Sequence, residues 1–331
     1  MIRSSSFDNL QETFKRTLKL NVKDNADPVG YRFPSPFGGD NSHELDAYER
    51  SVSLRRKTAA TSAESHPQFP FYVVGCDPAD GKPSAVIWQY GHDRAVANYY
   101  GCHAKTSRVH FDRFGQKFGA GDMKGNLCLW RFDTSSQASK PYWTWNCHSK
   151  ATRDFTFLDS SSLIASVGTS SALARNKQHV CLWDTLLPPQ QSLICSIPAH
   201  ELGAYAVSYC SPSQLLFSGG KSGEIVVTDV RQRTIMHTFQ GHQSRIRSMT
   251  LDSEDGLLIT GSIEGDMKIW DVNTFKLRQT IEAQPKNRFL SSGFTKIPLK
   301  SYGITQISVG DDSYILASGP SGITRSRIEV N

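Results

Sequence analysis

Residues 241–281 read GHQSRIRSMTLDSEDGLLITGSIEGDMKIWDVNTFKLRQTI, and the rest of the chain is built on variations of this unit. Gly241-His242 opens it, and RIRSMTL (245–251) and GLLITGS (256–262) are strand-like runs parted by the turn residues from Ser253 to Gly256. DMKIWDV follows Glu264-Gly265, and KLRQTIE supplies a fourth, outermost run. Four short strands joined by tight turns cannot bury both of their faces alone, so such units stack radially around an axis and shield most of their edges.

The unit recurs at a slow beat. Trp88, Trp130, Trp183 and Trp270 each close a short apolar run, and EIVVTDV carries Thr228 at the same place, so the spacings are 42, 53, 45 and 42 residues. A period of about 40–45 residues with four strands per unit is that of a β-propeller. Counted from the back, units occupy 304–330, 242–281, 200–240, 148–197, 103–145 and roughly 57–100, with Arg327 in the tryptophan position of the last. The first pairs TAATSA (58–63) with PFYVVG (70–75). The expected fold is therefore all-β, with six visible blades, or seven if the N-terminal segment contributes one.

Two small features repeat with the tryptophan. A glycine five residues before that position, at Gly125, Gly223, Gly265 and Gly322, marks a hairpin that calls for positive φ. A histidine opens four units: His103, His148, His200 and His242. The chain thus resembles the WD-repeat family, in which that histidine, a Ser/Thr on the second strand, an Asp in the turn and the Trp form a buried hydrogen-bonded tetrad. Carried over by position, the resemblance implies His242, Ser262 and Trp270, with Glu264 in the aspartate slot. Unit 200–240 keeps His200 but offers Gly220, Ser222 and Thr228, and unit 103–145 keeps His103 and Trp130 but offers Asp122 and Lys124. Tetrad bonding is expected in the 242 unit alone, with Trp130, Trp183, His148 and His200 serving their blades chiefly by packing.

The last unit reaches Asn331 before a fourth strand. FKRTLKLNV (14–22), where Leu18, Leu20 and Val22 alternate with polar residues, reads either as a strand that closes the ring or as a frayed amphipathic helix or unstructured leader. The Pro-, Gly-, Asp- and Asn-rich stretch after it reads as a linker, which makes 1–56 a leader and 57–331 the propeller.

Composition fits one globular module with a mixed surface. The formal charge is +6 from 37 basic and 31 acidic residues, and the longest basic run is Arg55-Arg56-Lys57, which argues against a nucleic-acid face. Seven cysteines never form a CxxC pair and read as reduced thiols of a cytoplasmic protein rather than as a disulfide framework or a metal site. No apolar run approaches the ~18 residues of a spanning helix, so membrane contact is expected only through partners. SGGKSG (218–223) fails as a phosphate loop because Leu215 stands where GxxxxGK[ST] needs glycine, and GAGDMKG (119–125) precedes a strand rather than a helix. No catalytic residue and no cofactor are expected.

What the repeat does not explain is the expected contact surface. The third unit inserts TSSALARNKQH (169–179), which includes Arg175, Asn176 and Lys177, and KPYWTWNCH (140–148) places Tyr142, Trp143 and Trp145 on an outer strand. Alternation sets Trp143 and Trp145 on one side and Tyr142 on the other. These segments, rather than a pocket in the central channel, are the expected partner-binding face.

The same segments carry a closer resemblance. PYWTWNCHSK, DFTFLDSSSLIAS (154–166), VCLWDTLLPPQQSL (180–193), SHPQFPFYVVG (65–75), FGQKFGAGDMKGNLCLW (114–130), QLLFSGGKSG (214–223) and EGDMKIW (264–270) are similar, in order, to the C-terminal WD-repeat region of the DmX-like family, also called rabconnectin alpha subunits. The resemblance implies a non-catalytic scaffold that works with a second WD-repeat subunit and with peripheral subunits of the vacuolar proton-pumping ATPase, promoting pump assembly and vesicle acidification. It also implies that the chain corresponds to the C-terminal part of a much larger protein.

Overall fold

The computed structural model describes residues 61–92, 94–135, 138–170, 179–252, 256–281, 303–310, 314–319 and 322–327; the expected closing strand at 14–22 lies outside them. Among the described residues six antiparallel sheets follow one another along the chain. The first blade is β1 (Ser62–Ser65), β2 (Phe71–Gly75), β3 (Ala85–Gln89) and β4 (Ala95–Tyr99). The second is β5 (Thr106–Phe111), β6 (Lys117–Asp122), β7 (Asn126–Arg131) and β9 (Trp143–Asn146). Between β7 and β9 the short β8 (Ala138–Ser139) pairs parallel with β4, so the second unit covers the outer edge of the first.

The third blade is β10 (Ala151–Phe157), β11 (Leu163–Thr169), β12 (Val180–Asp184) and β13 (Leu193–Ile197). The fourth is β14 (Ala204–Cys210), β15 (Leu215–Gly220), β16 (Glu224–Asp229) and β17 (Thr234–Gln240), and the fifth is β18 (Ile246–Asp252), β19 (Leu257–Ser262), β20 (Met267–Asp271) and β21 (Leu277–Ile281). The sixth shows three described strands, β22 (Gln306–Gly310), β23 (Tyr314–Gly319) and β24 (Gly322–Arg327). Unit boundaries match the repeat read from the tryptophans. The exception is the first strand, expected at 58–63 and found at Ser62–Ser65, where Ala63 faces Val74 and Ser62 faces Gly75.

The core is a series of layers between neighbouring blades. Val73, Ile87 and Tyr99 of the first blade meet Phe118 and Trp130 of the second, and Leu129 and Trp143 of the second meet Phe155 and Trp183 of the third. Leu182 and Ile197 pack on Val207 and Leu216, Phe217 and Ile225 on Ile246 and Leu258, and Ile259 and Met267 on Ile304 and Ile307. The first and last described blades touch where Gln306 Nε2 of β22 donates to the Ala63 carbonyl of β1 at 2.6 Å.

The turn glycines bind one blade to the next. Gly125 sits at φ 89°, and its carbonyl accepts the amides of Cys147 (2.8 Å) and His148 (3.1 Å) at the start of the third unit. Gly223, at φ 88°, does the same for Gly241 and His242 (both 2.9 Å). A Cβ on Gly125 would lie 1.6 Å from the His148 carbonyl oxygen, whereas one on Gly91, also at positive φ (79°), would meet nothing within 4 Å. Gly91→Ala should therefore cost only the left-handed penalty of about 1–2 kcal/mol. Gly125→Ala should cost clearly more, about 3 kcal/mol or above, because the next blade must also move. Equal unfolding midpoints for the two variants would contradict the close approach of the His148 carbonyl to Gly125.

Candidate functional site

The repeated histidines are consumed by the fold. His242 Nδ1 bonds Asp266 Oδ2 at 2.7 Å, His242 Nε2 bonds Thr260 Oγ1 at 2.7 Å, and Trp270 Nε1 donates to the same hydroxyl at 2.9 Å. Burial works against charge on Asp266, but hydrogen bonds from His242 and Ser262 outweigh it and hold the carboxyl at about 2. The tetrad roles expected of Ser262 and Glu264 thus belong to Thr260 and Asp266. Thr260 pairs with Lys268 on β20, which sets its hydroxyl beneath the indole of Trp270, while Glu264 stays exposed in the turn.

Bonding is not confined to this unit. His200 bonds Glu224 at 2.7 Å and Ser218 at 2.8 Å, and His148 Nε2 bonds Ser166 Oγ at 2.9 Å, which also receives Trp183 Nε1 at 2.8 Å. In each case the hydroxyl stands 18 residues after the histidine, a spacing legible in the sequence at 148/166, 200/218 and 242/260. By that rule Cys102, not His103, holds the slot in the second blade. Cys102 is buried, with its Sγ donating to Ala120 O at 3.8 Å; His103 is exposed, and Trp130 Nε1 turns instead to the Tyr100 carbonyl at 3.2 Å. The cysteines are free thiols, and burial pushes Cys76 and Cys181 up to about 12, which keeps them protonated and unreactive.

The expected contact surface divides. Trp143 is 3% exposed and meets Trp183 edge-to-face at 6.4 Å, and half-buried Trp145 packs on the same cluster. Inter-blade packing therefore withdraws Trp143 from the surface. Tyr142 is 39% exposed beneath the Lys117 ammonium, 5.8 Å from its ring centre. Arg175, Asn176 and Lys177 of the insertion lie outside the described residues.

Sequence reasoning missed the channel. Asp154, buried on β10, accepts from His110 Nε2 (3.0 Å), from the Phe155 amide (3.0 Å) and from the Val207 amide of β14 (3.2 Å). His110 Nδ1 contacts Glu64 Oε2 on β1 at 3.0 Å. Burial disfavours charge on His110, but the two carboxylates outweigh it and raise the imidazole to about 10, so it is a cation at neutral pH. Arg108, also buried, lies with Nε 3.5 Å from Asp154 and crosses the axis to donate to the carbonyls of Arg247 (2.9 Å) and Thr305 (3.0 Å). All six described blades meet in this network. Among the described residues no group of three or more His, Cys, Asp or Glu is arranged to hold a metal ion.

A four-stranded repeat arrayed around an axis, with a His–Ser/Thr–Trp lock in its blades, defines a WD-repeat β-propeller, and residues 233–271 match the WD domain, G-beta repeat family. The described ring is a DmX-like WD-repeat region. The chain is 35% identical over 288 residues to DmX-like protein 1 of Homo sapiens and 33% identical over 290 residues to that of Mus musculus, in each case over 84% of this chain and 9% of the relative's length. A shorter likeness, 30% over 82 residues, links 25% of the chain to 12% of the Mitochondrial division protein 1 of Neurospora crassa. The chain thus spans about a tenth of the DmX-like relatives it matches.

Thr260→Val keeps the volume and removes the hydroxyl shared by His242 and Trp270. It should lower stability by about 2–4 kcal/mol, because two buried nitrogens lose their partner. Glu264→Ala should stay within about 0.5 kcal/mol of the parent, as an exposed substitution. Chemical denaturation of both variants checks the reassignment, and the reverse order of effects would restore Glu264 to the lock.

Proposed function

We propose that this propeller is a non-catalytic scaffold in a cytoplasmic complex that promotes assembly and activation of the vacuolar proton-pumping ATPase, reaching endosomal or synaptic-vesicle membranes through protein partners. The observation that carries the reading is the likeness to DmX-like protein 1 along 84% of the chain, far beyond what the generic repeat requires. The role of the repeated polar side chains agrees with it. His148, His200 and His242 are locked in hydrogen bonds inside their blades, which suits a rigid surface for partners better than proton transfer at a substrate. The partners implied are a second WD-repeat subunit and peripheral subunits of the pump.

Affinity capture of the tagged chain from cells tests this. Recovery of pump peripheral subunits together with a second WD-repeat protein, and slower vesicle acidification when the protein is depleted, are the expected results. Capture of an unrelated signalling complex, with acidification unchanged, would overturn the pump reading in favour of a general WD-repeat adaptor.

A further inference from the structure

The innermost strands carry a feature the repeat does not require. In four successive blades the pairing of first and second strand slips at the same level, between Thr106 and Arg108, Thr152 and Asp154, Ala204 and Ala206, and Ile246 and Ser248. The residues left unpaired are Ser107, Arg153, Tyr205 and Arg247. A bulge bends the strand and re-aims the side chain of its extra residue, and here it does so near the start of four strands that all begin at the same end of the channel.

What the bulges gather is positive charge. The guanidinium of Arg153 lies 5.1 Å and that of Arg245 4.6 Å from the centre of the Tyr205 ring. The Nε atoms of Arg153 and Arg245 are buried without a hydrogen-bond partner, and Arg153 Nη1 has only the thioether of Met123, a weak acceptor, at 3.4 Å. Among the described residues no carboxylate pairs with Arg153, Arg245 or Arg247; Asp154, next in sequence, is already committed to His110, Arg108 and two amides. The charges of Arg108, Arg245 and Arg153 act against the guanidinium of Arg247, whose side chain reaches solvent. Like charges held this close oppose folding, and in four blades the backbone departs from regular pairing to present the residues of this one mouth.

We infer that this mouth is a binding site for an acidic segment of a partner protein, whose carboxylates bridge Arg153, Arg245 and Arg247. The inference rests on the scaffold reading but not on the identity of the complex. Guanidinium forks match carboxylates in paired hydrogen bonds, and the unpartnered Nε atoms are donors still to be satisfied. Nucleic acid fits less well: the Tyr205 ring at the mouth is already flanked by two guanidiniums, which obstructs stacking of a base on it, and the chain has no long basic run to follow a phosphate backbone.

The test is fluorescence anisotropy of a labelled deca-glutamate peptide with the whole chain at low and moderate salt. The parent should bind it, and Arg153→Gln/Arg245→Gln should weaken binding by at least about tenfold, as loss of charge-assisted hydrogen bonds requires. The control Arg231→Gln/Lys276→Gln removes the same charge from turns outside the mouth and should change affinity by less than about twofold, in keeping with screened distant charges. If the double variant at the mouth fails to fold, Arg247→Gln alone, at an exposed side chain, should still weaken binding severalfold. Equal losses in mouth and control variants, no binding by the parent, or tighter binding of a deca-uridine RNA or of phosphatidylserine vesicles than of the peptide would each overturn the inference. Peptide binding that survives while no pump subunit is captured would overturn the pump reading alone.

Discussion

The hub of Arg108 and Asp154 at the axis is the contact on which the ring depends. The described sheets bury their faces against neighbouring blades, so the structure has no central apolar core to fall back on, and the order of the blades must be fixed where their innermost strands converge. Asp154 gathers β5 and β14 onto β10 through His110, Arg108 and the Val207 amide, and Arg108 reaches over the axis to Arg247 and Thr305. Buried charges are costly unless satisfied. Asp154 meets that condition through two amides as well as two cations, and His110 stays charged because Glu64 and Asp154 flank it.

Around that hub the blades are joined by short-range devices. The turn glycines lend their carbonyls to the next unit, the histidine locks brace the second and third strands from within, and aromatic layers fill the wedges between sheets. The locks vary more than the positions they occupy. Glu224 replaces the aspartate beside His200, and Cys102 stands where a histidine would in the second blade. Such substitutions are tolerated because packing between blades carries most of the stability and the lock serves mainly to satisfy what is buried.

Much of this was legible in the chain. The spacing from Trp88 to Trp270 dictates the boundaries of the blades it spans, because a residue that must meet the neighbouring blade once per unit cannot drift. The lock was legible in outline and misplaced in detail. Thr260 and Ser262 both lie on the second strand with side chains on the same face, and only the constant interval of 18 residues from His148, His200 and His242 separates them. Tyr142 and Trp143 show why alternation alone could not sort surface from core, since an outer strand can bury one face against the next blade. The channel cluster was illegible for a different reason: Ser107, Arg153, Tyr205 and Arg247 have no sequence pattern in common, and what unites them is a slip in strand pairing.

If the axis network and the Gln306–Ala63 junction close one ring, the blades at its two ends share the stability of those between. Native-state hydrogen exchange in increasing denaturant measures this directly. Closure predicts that the amides of β1–β3 and of β22–β23 exchange with the same opening free energy and denaturant dependence as those of β10–β11, as parts of one cooperative unit. Exchange of β22–β23 through a separate opening at much lower denaturant, with β10–β11 still protected, would contradict a ring closed between its first and last blades.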